Sequence, residues 1–481
     1  MNDGASFQAD AREHARIYQA ARDLHITYQQ GDPPAAGTET PLTLAHLLSC
    51  FADAPLPAYV LSPEALAAVP VPGLTAERVA AELRALPSLT VDPDDAPGGP
   101  PIDCVQPGEA ASKTPPGELT DDMRMRLRAG AAALLDRAML RSRPLEGTLL
   151  DLLAAHVRAL LWHPGGEPVR SSAARDSDSA PVSGTIAAAR RVRDAYEGCG
   201  RYDEGLPFAV RIVQSGAASP VTDGLVLGQL HVGCGDFGEA EAVLRPVLAL
   251  VEQEATGRGL TVAGLTGPSI AEIFRDNSPG PYTSRLTAVD CEVLAQVAAV
   301  QHTLCDALYG LRRYPECERL LRTAVGLRLR VLGAAHPAWM LTQLRRARVL
   351  GRQRLWREAM GFVHDALVHR DRAELDRDRP RDAALLRLAH AEVTVEAVRS
   401  LQEEGAGRSR GVGMFPAPVV RLLDRTVGGN PQPEKLTWDD ARRLVEEAAS
   451  SCERAFGPTH PHTQAARSLR DRAVQGNENG S

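Results

Sequence analysis

The chain has 481 residues, 44% of them hydrophobic and 24% charged, with a formal net charge of −7. That much apolar content supports real cores and excludes a globally disordered chain, and the acidic balance gives no general pull toward nucleic acid or an anionic membrane. Aromatics make up only 4%, so Ala and Leu supply the apolar surface, as in stacked helices rather than a β-sandwich.

Nearly all positive charge is Arg, because Lys113 and Lys435 are the only lysines. Eight cysteines are scattered without a C-x-x-C pair, so neither a zinc ribbon nor a redox pair is written here. They read as reduced core residues, which places the chain in the cytoplasm. The first residues lack the apolar run of a signal peptide, and no stretch of about 18 apolar residues predicts a membrane span.

Residues 1–40 read as an N-terminal tail and linker. Within them, residues 15–26 resemble the short segment near the start of many actinobacterial signalling proteins that carry helical repeats. Residues 41–107 carry a different rhythm. Leu42, Leu44, Leu47 and Leu48 predict one helix, and Phe51 to Pro57 a turn. Ser62 caps a second helix with Pro63 in its first turn, and Thr75 caps a third with Val79, Leu83 and Leu86 inward. Ser88–Val91 and Ile102–Val105 read as strands flanking an Asp/Pro/Gly-rich wing. The order helix, helix, helix, strand, wing, strand is that of a winged helix. It resembles the unit that follows the nucleotide-binding core of STAND-type (NB-ARC-associated) regulatory ATPases.

Residues 108–120 read as linker, and 121–162 as a connector of two amphipathic helices, Asp121–Arg141 and Leu145–Trp162. Residues 163–183 are a Gly/Ser/Asp/Pro-rich linker. A repeat array is expected over 185–474, interrupted by insertions at 252–285 and 403–417, with a disordered tail at 475–481.

The array rests on a recurring hexapeptide. Gly200-Arg201-Tyr202-Asp203-Glu204-Gly205 recurs at Gly235, Arg312 and Arg354, and more weakly at Leu436. Each copy has an aromatic third and a small residue sixth. The pattern resembles the tetratricopeptide repeat, in which the aromatic plugs a helical hairpin and the small residue lets two helices touch. The step from Gly200 to Gly235 is 35 residues and that from Arg312 to Arg354 is 42. The longer step is similar to the kinesin-light-chain-type variant. So are the turns Leu332-Gly333-Ala334-Ala335-His336-Pro337 and Phe456-Gly457-Pro458-Thr459-His460-Pro461. The fold class is therefore mainly α: a right-handed superhelix of tetratricopeptide-like α-α hairpins preceded by a small winged-helix-like unit.

No catalytic residue, cofactor site or metal site emerges. No G-x-x-x-x-G-K-[ST] cradle, H-E-x-x-H or G-x-S-x-G motif is present, so the STAND resemblance lacks its ATPase core. His460 and His462 belong to the turn motif. Residues 31–120 hold 12 acidic and 3 basic residues, the wrong sign for phosphate. That leaves protein binding. The first helices of such hairpins line the inner surface. Positions that commonly carry Asn or Arg in the longer-repeat family hold Arg190, Arg191, Gln301, His302 and Arg345, while Leu225 and Val226 depart from the pattern. Arg can grip carboxylates bidentately, so the expected partner is an acidic or mixed peptide segment of a protein held by a non-catalytic adaptor. Two rivals stand beside it: a transcription regulator reading DNA through residues 41–107, and a degenerate relative of the STAND NTPases.

Overall fold

In the computed structural model the described residues are 43–91 (without 70, 72–73, 85 and 87), 101–108, 119–142, 145–162, 180–215, 218–260, 286–356, 358–363, 366, 375–408 and 437–478. The 15–26 segment, the expected wing, most of the two linkers and the greater part of both insertions lie outside them.

The first described elements are α1 (Leu44–Leu48), β1 (Leu56–Pro57), a 3₁₀ turn (Ala58–Leu61), α2 (Pro63–Ala68), α3 (Ala76–Leu83), β2 (Ser88–Val91) and β3 (Ile102–Val105). Ser62 and Thr75 cap as expected, accepting from Ala65 N at 3.2 Å and Arg78 N at 3.3 Å; such caps contribute about 1 kcal/mol each. The strands form one antiparallel sheet in the order β1-β3-β2. The strand β1 lies at the end of the stretch expected to be only a turn. Its two residues are both buried, too short a run for period-2 alternation to show. Val79 is buried while Leu83 and Leu86 are half-buried.

This small unit is not a separate body. From Thr43 onward the described residues belong to one compact unit. Helices α4 (Asp121–Arg141) and α5 (Gly147–Leu161) follow and carry the sheet unit on one side. His156 of α5 accepts from Ala52 N through Nδ1 at 3.2 Å and donates through Nε2 to Pro55 O at 3.1 Å. The Phe51 ring meets it edge-on at 5.6 Å.

The array comes next as hairpins: α6 (Ala180–Gly198) with α7 (Tyr202–Gln214), α8 (Pro220–Cys234) with α9 (Phe237–Gly257), and α10 (Ala288–Gly310) with α11 (Tyr314–Leu332). Beyond these, α12 (Pro337–Arg352) pairs with the helical residues 358–363. The short α13 (Leu375–Asp378) precedes α14 (Pro380–Arg408), which pairs with α15 (Trp438–Phe456), and α16 (Pro461–Glu478) closes the chain. Three boundaries differ from expectation. The linker ends earlier, because α6 begins at Ala180. The first insertion starts later, because Val251 and Ala255 continue the buried stripe of α9 to its end at Gly257. Helix α16 runs past Val474 to Glu478, into the expected tail.

Four hairpin bends are built alike. Gly200, Gly235, Arg312 and Arg354 all stand in the left-handed region, at φ 73°, 84°, 61° and 63°. At each, the next residue's N–H reaches back five positions: Arg201 to Tyr196, Asp236 to His231, Arg313 to Leu308 and Leu355 to Leu350, at 2.8 to 3.0 Å. This is the Schellman arrangement, which satisfies the last carbonyls of a helix. The aromatic follows one residue later and opens the second helix. Tyr202 packs on Gly233, Phe237 on Gly310 and Trp356 on Gly351; a Cβ at Gly310 would stand 2.3 Å from the Phe237 ring. The sixth-position residues Gly205, Ala240, Cys317, Ala359 and Ala441 are all buried.

The two Gly…His-Pro linkers also match residue by residue. Gly333 and Gly457 have φ 81° and 88°. His336 and His460 each precede the first residue of a helix and accept from the N–H two residues on at 3.1 Å. The histidines preceding Pro337 and Pro461 are therefore capping groups.

Candidate binding surface

Successive first helices are joined by Arg–carboxylate pairs. Arg191 of α6 binds Asp136 of α4. Arg190 grips Asp223 of α8 bidentately, with Nε–Oδ1 3.0 Å and Nη2–Oδ2 2.6 Å. Arg345 Nε of α12 stands 2.7 Å from Asp306 Oδ1 of α10. Arg348 and Arg352 of α12 reach Glu392 and Glu396 of α14, at 3.0 and 3.3 Å, and both donate to the Tyr309 hydroxyl, at 3.1 and 2.8 Å. Among the described residues the step from α8 to α10 shows no such pair, and there a cavity of about 590 Å³ opens between Ser219, Val221, Leu250, Glu254 and Gln296.

The sequence-predicted residues thus fall into different situations. Arg190 and Arg191 do hold carboxylates in the forked manner expected of Arg, Arg345 meets Asp306 through Nε alone, and the carboxylates are the chain's own. His302 lies beside Arg328 and Thr342, whose groups approach its Nδ1 to 3.5 and 3.3 Å. Gln301 is only 2% exposed and donates to Glu252 at 3.4 Å. Sequence reasoning missed Asp136, Asp223, Asp306, Glu392 and Arg348. Asp306 is four residues after His302, so helical spacing alone places it on the same face.

Electrostatics there are tense. Burial pushes the Asp306 carboxyl up, against the pull of Arg345, Arg348 and Arg328. Burial also holds His302 well below the ordinary imidazole range, helped by Arg328 and Arg345. Among the described residues no carboxylate lies within pairing distance of Arg328; it donates to Ala338 O at 2.7 Å and to Thr342, and burial lowers it to about 10.

By contrast α3 has little to offer a phosphate. Arg78 is paired with Glu82 at 2.9 Å, and Glu82 also accepts from Leu44 N at 2.8 Å. No described group of His, Cys, Asp and Glu could hold a metal ion, and no described helix is long and apolar enough to cross a membrane.

A model of the tetratricopeptide repeat family matches residues 297–338 and 437–462, which contain the bends at Tyr314 and Trp438 and both Gly…His-Pro linkers. No curated protein matches the chain. Among solved structures, a Rap protein complexed with competence and sporulation factor aligns at 11% identity over 77% of this chain and 91% of that one, with a TM-score of 0.33. The apo form of RapI aligns at 8% identity over 78% and 92%, with a TM-score of 0.27.

Proposed function

We propose that the chain is a non-catalytic adaptor whose repeat array holds an extended, acidic or mixed segment of a protein partner against its first helices. The observation that carries this reading is the set of equivalent hairpin bends, which leaves one face of each first helix directed away from its own hairpin. Along that face Arg190, Arg191 and Arg345 are each about one-third exposed, so an incoming carboxylate can share or take over a guanidinium already held in place. His302 lies near Arg345 and Arg328, and Gln301 contributes by holding Glu252. The excess cation near His302 sets the expected sign of the partner. The small N-terminal unit serves packing or partner contact in this reading, and its acidity argues against duplex DNA.

The test is an array of extended acidic and neutral peptides probed with the full chain and with an Arg345→Gln variant. Selective retention of acidic peptides is expected, weakened several-fold by the substitution and by 0.5 M salt. Equal retention of both peptide classes, or of none, would refute the reading.

A further inference from the structure

The first bend of the array touches the start of its last helix. Gly200 and Pro461 are 261 residues apart, yet a Cβ on Gly200 would stand 2.3 Å from Pro461 Cδ and 3.0 Å from the His460 ring. The contact has a second point nearby. Arg381, at the start of α14, lies 3.6 Å from the Cβ position of Gly198 and 3.9 Å from Glu146. On the other side its guanidinium covers the Phe456 ring at 5.6 Å, and that ring stacks on His460 at 4.7 Å. The chain's two halves therefore meet through a small patch: the 198–200 turn and Glu146 against Arg381, Phe456, His460 and Pro461.

Elsewhere in the array neighbouring helices share buried apolar stripes. This patch has one close approach at a glycine and one long, exposed ion pair, which solvent screens to little net strength. It is a thin seam, and local openings are drawn from such seams.

We propose that this contact is a latch: closed, it draws the ends of the array together around the inner face, and parted, it opens that face without unfolding any helix. The proposal rests on the adaptor reading only for its purpose; the motion is measurable with no partner present. Gly200 suits the latch twice over, since its left-handed φ of 73° sets the turn and its missing side chain admits Pro461.

The experiment compares Gly200→Ala, Pro461→Ala and the control Gly235→Ala. Gly235 has the same backbone conformation with nothing within 4 Å of an added Cβ, so it reports turn strain alone. Pro461→Ala removes the latch from the other side and leaves the 200 turn untouched. Small-angle scattering and the rate of carbethoxylation of His302 by diethyl pyrocarbonate are read alongside helical content. A larger radius of gyration and an at least three-fold faster His302 reaction are expected in both latch variants at unchanged helicity, with neither change in Gly235→Ala. An unchanged radius or unchanged His302 rate in the latch variants would overturn the latch, as would an equal response of the control. None of these results depends on whether an acidic peptide binds.

Discussion

Arg345 and Asp306 face each other at 2.7 Å from the first helices of adjoining hairpins, α12 and α10, and the carboxyl stays raised despite that neighbour. Desolvation is the larger effect, so the guanidinium is what keeps the site tolerable. Arg345→Met should destabilise the protein by about 1–3 kcal/mol at pH 7, between the values for exposed and fully buried pairs. Adding Asp306→Asn should recover most of the loss. A raised folded pKa contributes stability at pH below the unfolded value, lost as pH rises through the folded one. Arg345→Met should therefore be harmful at pH 7 and nearly silent near pH 3, below the ordinary carboxylate value. Urea titrations at the two pH values check this, and a loss independent of pH would point to packing alone.

His156 makes a separate case. Burial lowers its pKa from 6.5 to about 4, and Nδ1 must stay unprotonated to accept from Ala52 N. Folded pKa below unfolded pKa means stability present above pH 6.5 and lost as pH falls through about 4. The 43–108 unit should loosen from α5 in that window. Amide exchange of residues 51–61 should quicken by about ten-fold or more between pH 6.5 and 4.5, after correction for intrinsic rates, ahead of exchange in α10. His156→Gln, which keeps an acceptor and a donor without titrating, should remove most of the pH dependence.

The bends explain why the array was legible and the surface was not. Tyr202, Phe237, Tyr314 and Trp356 recur because one backbone arrangement, a left-handed residue two positions earlier, needs the same plug each time. That signal is local and periodic. The carboxylates facing the arginines are not: Asp223 and Arg190 are 33 residues apart, and only the superhelical stacking of α6 on α8 joins them. An Arg read alone looks available; its partner sits on another hairpin at no fixed offset. The strand β1 escaped because two residues carry no period, and the end of α9 because Gly257 and Gly259 look like the start of the loop.

Asp223 is the most consequential of those hidden partners. It is fully buried and binds Arg190, Arg193 Nη1 at 2.7 Å and Ser219 N at 2.8 Å. Burial raises its pKa, and hydrogen bonds from Arg190 and Arg193 overcome that, leaving it lowered. Asp223→Ala leaves Arg193, which is 3% exposed, with Asp194 at 2.8 Å as its remaining carboxylate, and should cost about 3 kcal/mol, the lower end of the penalty for breaking a buried pair. Asp223→Ala with Arg193→Leu should cost clearly less than Asp223→Ala alone. Chemical denaturation of the single and double variants decides it, and strict additivity would mean the pair is not coupled.

Arg312 and Arg354 hold the same left-handed conformation as Gly200 and Gly235 but carry a Cβ, which costs about 1 kcal/mol each. Both side chains are exposed, so little packing is lost on removing them. Glycine also gains entropy in the unfolded chain, which offsets part of the relief. The balance favours the left-handed relief, and Arg312→Gly and Arg354→Gly should each stabilise the protein by about 0.5 kcal/mol. Gly235→Ala should move the other way, by about 1 kcal/mol, because the added methyl meets nothing and only the backbone resists it. The three urea midpoints, compared at constant m-value, test the sign directly. If Arg312→Gly destabilised the chain, the four bends would not share the conformation from which the array is built.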